Sequence, residues 1–458
     1  MKVLISGASG FLGTELVARL ILEGYEIDAL SRSPDANSKS YPYPIQFISW
    51  QDLDQNDTDY DYIIHLAGAN IADKRWSKKQ KEILYQSRID TGKRLVAKAL
   101  RQKQPPKKFL CGAASGIYGD AGDQEINEDS QLSRGFLGKL CKDWEALCRP
   151  LEDKQILTAQ LRTGIVLGTN EGALKQLVML TQLGALSCLG DGKQFMPWIH
   201  VQDWVEATYF IMQSPELTGP INMVNSKPIR QKDFFKTLSS HFHMWMLPPV
   251  PSFLVKLLFG EMSQILLNSL NINHSKLLNH GFEFHYLRLE DALKDLYPEP
   301  TKDLIFQQNL LLPQQVEEIF PFFSDPNNLE KITPDFLNFK VKSSSDEVVK
   351  KNTLIKYRLS LHGIPMFWKT KILDYQENSH FIDNQESGPY KRWHHLHTFE
   401  RHPRGTLMKD TVRYNVGFGI LGKAIAYFYV NKDVQKIFDY RTKVLKKIYC
   451  ANVYNKSS

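Results

Sequence analysis

The chain has 458 residues, 42% hydrophobic and 23% charged, with 57 Lys/Arg against 50 Asp/Glu. That is the profile of a folded globular protein of two or three domains, and it excludes a disordered or fibrous chain. Residues 301–458 carry 24 basic against 16 acidic residues and residues 1–300 carry 33 against 34, so the basic excess lies in the last third. It is dispersed there, which argues against nucleic acid as a partner.

Alternating strands and helices are expected over residues 1–165: strands Val3–Ser6, Ile27–Leu30, Ile45–Ile48, Tyr62–Leu66, Phe109–Gly112 and Ile156–Arg162, with helices Thr14–Leu22, a long polar one ending near Arg101, and Phe136–Leu147. That rhythm implies a parallel sheet covered on both faces. Residues 168–296 continue in a mixed pattern that ends in the amphipathic stretch Leu287–Leu296. Two prolines in Tyr297-Pro298-Glu299-Pro300-Thr301 mark a domain boundary, because proline interrupts both helix and sheet pairing. Beyond it come alternating strands at Leu354–Leu361, Phe367–Asp374, Trp393–Phe399 and Thr406–Tyr414. A final helix follows from about Leu421 to Tyr449, with Val434, Ile437, Phe438, Val444, Leu445 and Ile448 on one apolar face. The natural packing is a curved antiparallel sheet wrapped on that helix.

Five cysteines (Cys111, Cys141, Cys148, Cys188, Cys450), none in a CxxC pair, suit free thiols in a reducing compartment. Met1 and Lys2 run straight into an apolar strand without a cleavable leader. No apolar run approaches the ~18 residues of a membrane span. A cytoplasmic protein without an integral membrane segment is expected.

The strongest local signal is Gly7-Ala8-Ser9-Gly10-Phe11-Leu12-Gly13, between the first strand and first helix. Its glycines allow a sharp turn, close approach to a pyrophosphate, and tight helix–sheet packing, while the helix N-terminus offers N–H groups to phosphate. An acidic residue just past the second strand would favour NAD. Ser31 and Arg32 stand there instead, and a guanidinium fork suits a 2′-phosphate, so NADP(H) is the expected cofactor. Asp28, inside the strand, is a poor substitute for that acid. Leu66-Ala67-Gly68-Ala69 after the fourth strand would let the chain pass beneath the cofactor ribose.

In order along the chain, GASGFLG, LSRSP, HLAGANI, the helix carrying Trp76 and Ser87-Arg88, GIYGD, CKDWEAL, RTGIVLG, GDGKQFMPWIHVQDW and LLFGEM resemble the epimerase-like, atypical extended branch of the short-chain dehydrogenase/reductase superfamily. The resemblance spans nearly all of residues 1–296. It implies a doubly wound α/β Rossmann domain with a small substrate-side subdomain (about 168–296), bound NADP(H), and Arg88 near the cofactor. Active members use Tyr-x-x-x-Lys, but aligning on Trp144-Glu145 puts Leu137 and Cys141 at those positions. A phenol of pKa near ~10 needs a nearby cation to transfer protons at neutral pH, and neither replacement supplies the pair's chemistry. Ser115, Tyr118 and His200 are the substitute catalytic candidates. Tyr118 also reads as a packed ring, His200 as a core histidine, Lys139 and Lys142 as solvated charges and Cys141 as small-residue packing, while Asp203 reads as a loop-orienting residue.

Residues 304–450, with PFFSDPNNLEKITPDFLNF, LHGIPMFWKTKI and IDNQESGPYKRWHHLHTFE, resemble the START-like/polyketide-cyclase-like family. That resemblance implies an α+β helix-grip domain around an apolar cavity, after a linker at 297–303 and before a tail at 451–458. Trp368, Phe381, Tyr390, Trp393, Phe399 and Tyr414 either line such a cavity or fill it. Among His394, His395 and His397, the last two share a strand face, but no third ligand stands at an identifiable spacing and no metal is assigned. The expected function is an NADP(H)-binding epimerase or oxidoreductase acting on a small substrate, either a sugar nucleotide or an apolar compound. The alternative is a catalytically degenerate NADP(H) sensor or carrier with an apolar ligand in its C-terminal domain.

Overall fold

The computed structural model describes residues 1–169, 171–225, 227–298, 303–361, 363–417 and 429–450. Most of the expected linker, the first part of the final helix (Leu421 onward) and the tail lie outside them. The chain divides into two compact units, Met1–Pro34 with Ile45–Pro300, and Asp35–Pro44 with Thr301–Ser458.

In the first unit seven strands run parallel: β1 (Lys2–Ser6), β2 (Glu26–Ser31), β3 (Gln46–Ser49), β4 (Tyr62–His65), β5 (Lys108–Ala114), β6 (Thr158–Thr163) and β7 (Gly219–Met223). Their order is 3-2-1-4-5-6-7, which reverses direction beside β1. Helices α1 (Phe11–Leu22), α2 (Lys78–Arg101), α3 (Phe136–Glu145) and α4 (Val201–Gln213) alternate with the strands. The strands read as continuous apolar runs because a parallel sheet is buried on both faces: Val3, Leu4, Ile5, Ile63, Ile64, Phe109 and Leu110 are fully buried. Leu4, Ile63, Phe109, Leu95 and Trp144 share one core beneath α2 and α3. No described helix is long and apolar enough to cross a membrane.

The second unit is built on one antiparallel sheet of seven strands: β8 (Leu304–Leu312), β9 (Lys340–Ser344), β10 (Leu354–Leu361), β11 (Ile364–Gln376), β12 (His380–Ser387), β13 (Arg392–His402) and β14 (Gly405–Asn415), ordered 8-14-13-12-11-10-9. A helix, α5 (Asn431–Tyr449), follows them. Val434 and Phe438 pack with Phe306, Val412 and Tyr414, and Leu445 packs with Leu310 and Met408. Ile448, expected on that face, is 45% exposed; in the last turn Tyr449 and the following Cys450 pack against the core instead. Asp35–Pro44, read from sequence as part of the first domain, groups instead with this unit. Pro42 O accepts from Leu311 N at 2.8 Å, Ser38 O accepts from Lys446 Nζ at 3.0 Å, and Tyr41 and Tyr43 are buried edge to face.

Candidate functional site

The turn from β1 to α1 is shaped by contacts that only glycine permits. Gly7 has φ +82°, and a Cβ there would meet the Leu66–Ala67 backbone at 2.8 Å; at Gly13 a Cβ would fall 2.1 Å from Gly7 O. Gly10 is different, since its Cβ would meet only Gly7 O, at 3.4 Å. Open space therefore lies in front of Gly10. The first bond within α1 is Thr14 N to Gly10 O (2.9 Å), and Gly10 offers no side-chain cap. The N–H groups of Phe11, Leu12 and Gly13 thus have no partner inside the helix. The residues present fit a pyrophosphate: backbone donors, the positive end of a twelve-residue helix, and room for close approach. Ser9 is exposed at the turn, Leu12 is half-buried, and the Phe11 ring packs where a Gly168 side chain would be.

At the end of β2, Ser31 is buried and its Oγ accepts from Ser33 N at 2.9 Å. Arg32 is exposed and has no hydrogen bond or ion pair among the described residues. Asp28 is committed elsewhere, accepting from Tyr60 OH at 2.7 Å and pairing with Lys2 Nζ at 3.0 Å. The Leu66–Ala69 segment leaves β4 beside the glycine turn: Leu66 N donates to Ser6 O at 3.0 Å. Arg88, on α2, lies against this segment. Its Nη2 donates to Ala69 O and its Nη1 to Leu84 O, each at 3.0 Å, and its guanidinium stacks over Trp144 at 5.0 Å. Burial lowers the pKa of Arg88.

Sequence reasoning passed over the clamp beneath that segment. His65 is fully buried, with Nδ1 2.8 Å from Ser6 Oγ and Nε2 2.9 Å from Arg88 O. A neutral ring that donates from Nε2 and accepts at Nδ1 satisfies both, and burial brings its pKa down to about 4. The clue in the sequence was Ser6 and His65 closing two strands that turned out to be neighbours, at directly paired positions.

The three catalytic candidates have different surroundings. Ser115 follows β5, is 7% exposed, and its hydroxyl makes no hydrogen bond among the described residues. Tyr118 OH donates to Asn222 Oδ1 at 2.7 Å and accepts from Arg162 Nη1 at 2.8 Å. Arg162 in turn forks onto both Glu145 oxygens at 2.8 and 2.9 Å. Burial outweighs Arg162 and pushes the Tyr118 phenol up to about 12, and its one proton and a lone pair are both taken up within the fold. His200 caps α4, its Nδ1 accepting from Gln202 N at 3.1 Å, and it stacks on Tyr286. Burial lowers its pKa while Asp295, 3.3 Å away, opposes. Asp203 accepts from His285 N and Tyr286 N, which orients that loop.

On α3, Leu137 packs toward Gly116, next to Ser115, while Lys139 and Lys142 are exposed. Cys141 is buried among Ile117 and Tyr118, and burial lifts its thiol to about 12. A neutral thiol cannot act as the cation a phenol needs.

A second cluster lies in the other unit. A cavity of about 160 Å³ there is lined by Trp368, Phe381, Tyr390 and Trp393 along with Asp383, His395, His397 and Arg441. Phe399 and Tyr414 belong to the packed core instead. Strand alternation sends His394 to the opposite face from His395 and His397.

A glycine-cornered strand–helix turn at the head of an all-parallel sheet, beside the point where strand order reverses, defines a Rossmann-type α/β protein of the dinucleotide-binding class. Residues 3–225 match the model of the NAD dependent epimerase/dehydratase family, and residues 250–296 match a domain of unknown function, DUF1731. The chain is 31% identical over 301 residues to the epimerase family protein YfhF of Bacillus subtilis, covering 65% of this chain and 98% of that one. It is 31% identical to the chloroplastic SDR39U1 homologue of Arabidopsis thaliana, over 64% of this chain and 86% of that one. The crystal structure of human SDR39U1 with NADPH superposes with a TM-score of 0.60 at 27% identity, over 65% of this chain and all of that one. The chain belongs to the NAD dependent epimerase/dehydratase family.

Proposed function

We propose that the first unit binds NADP(H) through the Gly7–Gly13 turn and handles a small substrate beside Ser115, as an epimerase- or oxidoreductase-like protein lacking the Tyr-x-x-x-Lys pair. The observation that carries this reading is the open backbone cradle at Gly10, with an exposed Arg32, unpaired among the described residues, just after β2. NADPH in the human relative supports the same choice of cofactor. Bound there, the nicotinamide would supply hydride transfer. The chain's own residues would hold the pyrophosphate at the α1 N-terminus, pair the 2′-phosphate with Arg32 and Ser31, and offer the Ser115 hydroxyl to a substrate oxygen. Tyr118 and His200 act as positioning residues in this reading, since the hydroxyl of one and Nδ1 of the other serve the fold.

We read the second unit as a START-like, helix-grip ligand-binding domain from about residue 304 to 450. The antiparallel sheet, the helix packed on it and the aromatic cavity support that reading, and an apolar substrate or ligand suits the cavity better than a sugar nucleotide. A sensor or carrier role for the protein is the second reading. It is favoured by the commitment of the Tyr118 phenol, three residues after Ser115, to Asn222 and Arg162.

The deciding experiment identifies what small molecules accompany the purified protein, then follows NADPH oxidation with a panel of carbonyl compounds. NADP(H) together with turnover that Ser115→Ala reduces at least ~10-fold supports the enzyme. NADP(H) without turnover supports the sensor. NAD(H) alone, or no nucleotide affinity, removes both.

A further inference from the structure

The pairing of three neighbouring strands assembles a polar cluster that no short motif contains. Asp383 on β12 lies directly opposite His395 on β13, and His397 on β13 lies opposite Asp410 on β14. All four side chains share the face of the sheet that Arg441, on α5, also approaches. His395, His397 and Asp410 are at most 4% exposed.

The distances divide this cluster into an inner and an outer set. Asp383 Oδ2 stands 3.4 Å from His395 Nδ1 and 3.1 Å from His397 Nε2. In a tetrahedral site with metal–ligand bonds of 2.0–2.2 Å, neighbouring donor atoms are about 3.3 Å apart, so two of the three edges already have the required length. Donor atoms of all three residues fall within 4.8 Å of one another. The other nitrogen of each imidazole faces a single acceptor, Asp410 Oδ1, at 2.9 Å from His395 Nε2 and 2.7 Å from His397 Nδ1. The second contact is close but poorly directed, and His397 Nδ1 has no well-formed hydrogen bond among the described residues. Arg441 Nη1 lies 3.3 Å from the same oxygen. A carboxylate behind the imidazoles, itself held by an arginine, is the arrangement that fixes histidine ligands on a metal.

Charge allows a cation there. Two carboxylates and one guanidinium leave one negative charge in the cluster, which either a proton on an imidazole or a bound metal balances. Asp383, His395 and His397 all line the 160 Å³ cavity, whose wall is mostly apolar, so the cluster has open space beside it.

We propose that Asp383, His395 and His397 form a three-ligand site for a divalent transition metal, buttressed by Asp410 and Arg441, with its remaining coordination position open to the cavity. Two imidazoles and one carboxylate suit zinc, iron or cobalt rather than magnesium or calcium.

The test uses the untagged full-length protein, stripped with a chelator and titrated with Co²⁺ alone. The expected result is one equivalent bound, with the ligand-field absorption of a four- or five-coordinate nitrogen–oxygen site, displaced by Zn²⁺ and shifted by azide. No thiolate-to-cobalt charge-transfer band should appear, since the five cysteines take no part. Asp383→Asn and His397→Gln should each remove the site, and Asp410→Asn should weaken it ~10–100-fold. Folded wild-type protein that takes up no Co²⁺ would show a cluster compensated by a proton and overturn the proposal. A thiolate band, bands indifferent to azide, or binding unchanged in Asp383→Asn and His397→Gln would overturn it as well. The wild-type spectrum decides the question even where a ligand variant does not fold.

Discussion

A single methyl group separates two of the glycines in the β1–α1 turn. Gly13→Ala forces a Cβ to within 2.1 Å of the Gly7 carbonyl, whereas Gly10→Ala meets that same atom at an acceptable 3.4 Å. Gly10→Ala should therefore leave the melting temperature within a few degrees of wild type and weaken NADPH binding at least ~10-fold, because it fills the space left for the pyrophosphate. Gly13→Ala should lower stability first. Thermal unfolding and calorimetric titration of both variants separate the two effects. His65 makes a pH-dependent contribution. Its folded pKa of about 4 lies below the ordinary 6.5, so the unfolded chain binds the extra proton first as pH falls. The stability it confers is complete above pH 6.5 and is lost as pH drops through 4, to the extent of about 3 kcal/mol. Denaturant unfolding at pH 7, 5.5 and 4.5 should show a shallower decline in His65→Gln than in wild type.

Among the secondary-structure elements, β6, β7, α3 and the turn that follows β5 are joined by the chain Asn222–Tyr118–Arg162–Glu145. Tyr118→Phe leaves Asn222 and Arg162 each short of a partner in a buried setting and should cost about 1–3 kcal/mol, read as a shift in denaturant midpoint, while NADPH affinity stays unchanged. A catalytic phenol would show the reverse pattern, with turnover lost and stability kept. What the sequence made legible at this scale follows from range. The glycine turn is a local device, complete within seven residues between an apolar strand and a helix, and it was found in place. The cluster of Asp383, His395, His397 and Asp410 depends on the register of three strands and was invisible, although His395 and His397 had been placed on one face. The missing carboxylates come from the strands on either side. Ile448 is exposed while Leu445, Tyr449 and Cys450 pack at that end of the helix, an orientation that periodicity alone does not fix.

Across the whole molecule, the two units carry different chemistry in one chain. The first is a family Rossmann fold whose parallel sheet could be read from its strand–helix alternation; the second is an antiparallel sheet and helix around a polar-floored cavity. Contiguity in the chain is the only guide a sequence offers to where Asp35–Pro44 belongs, whereas in the structure this segment groups with the second unit and Pro42 O accepts from Leu311 N, 269 residues downstream. Which dinucleotide the first unit takes is decided by calorimetric titration of NADPH and NADH into wild type and Arg32→Asp. Wild type should bind NADPH much more tightly than NADH, and Arg32→Asp should lose most of that preference by weakening NADPH alone. Equal affinities for the two in wild type, or equal losses for both in the variant, would contradict this reading.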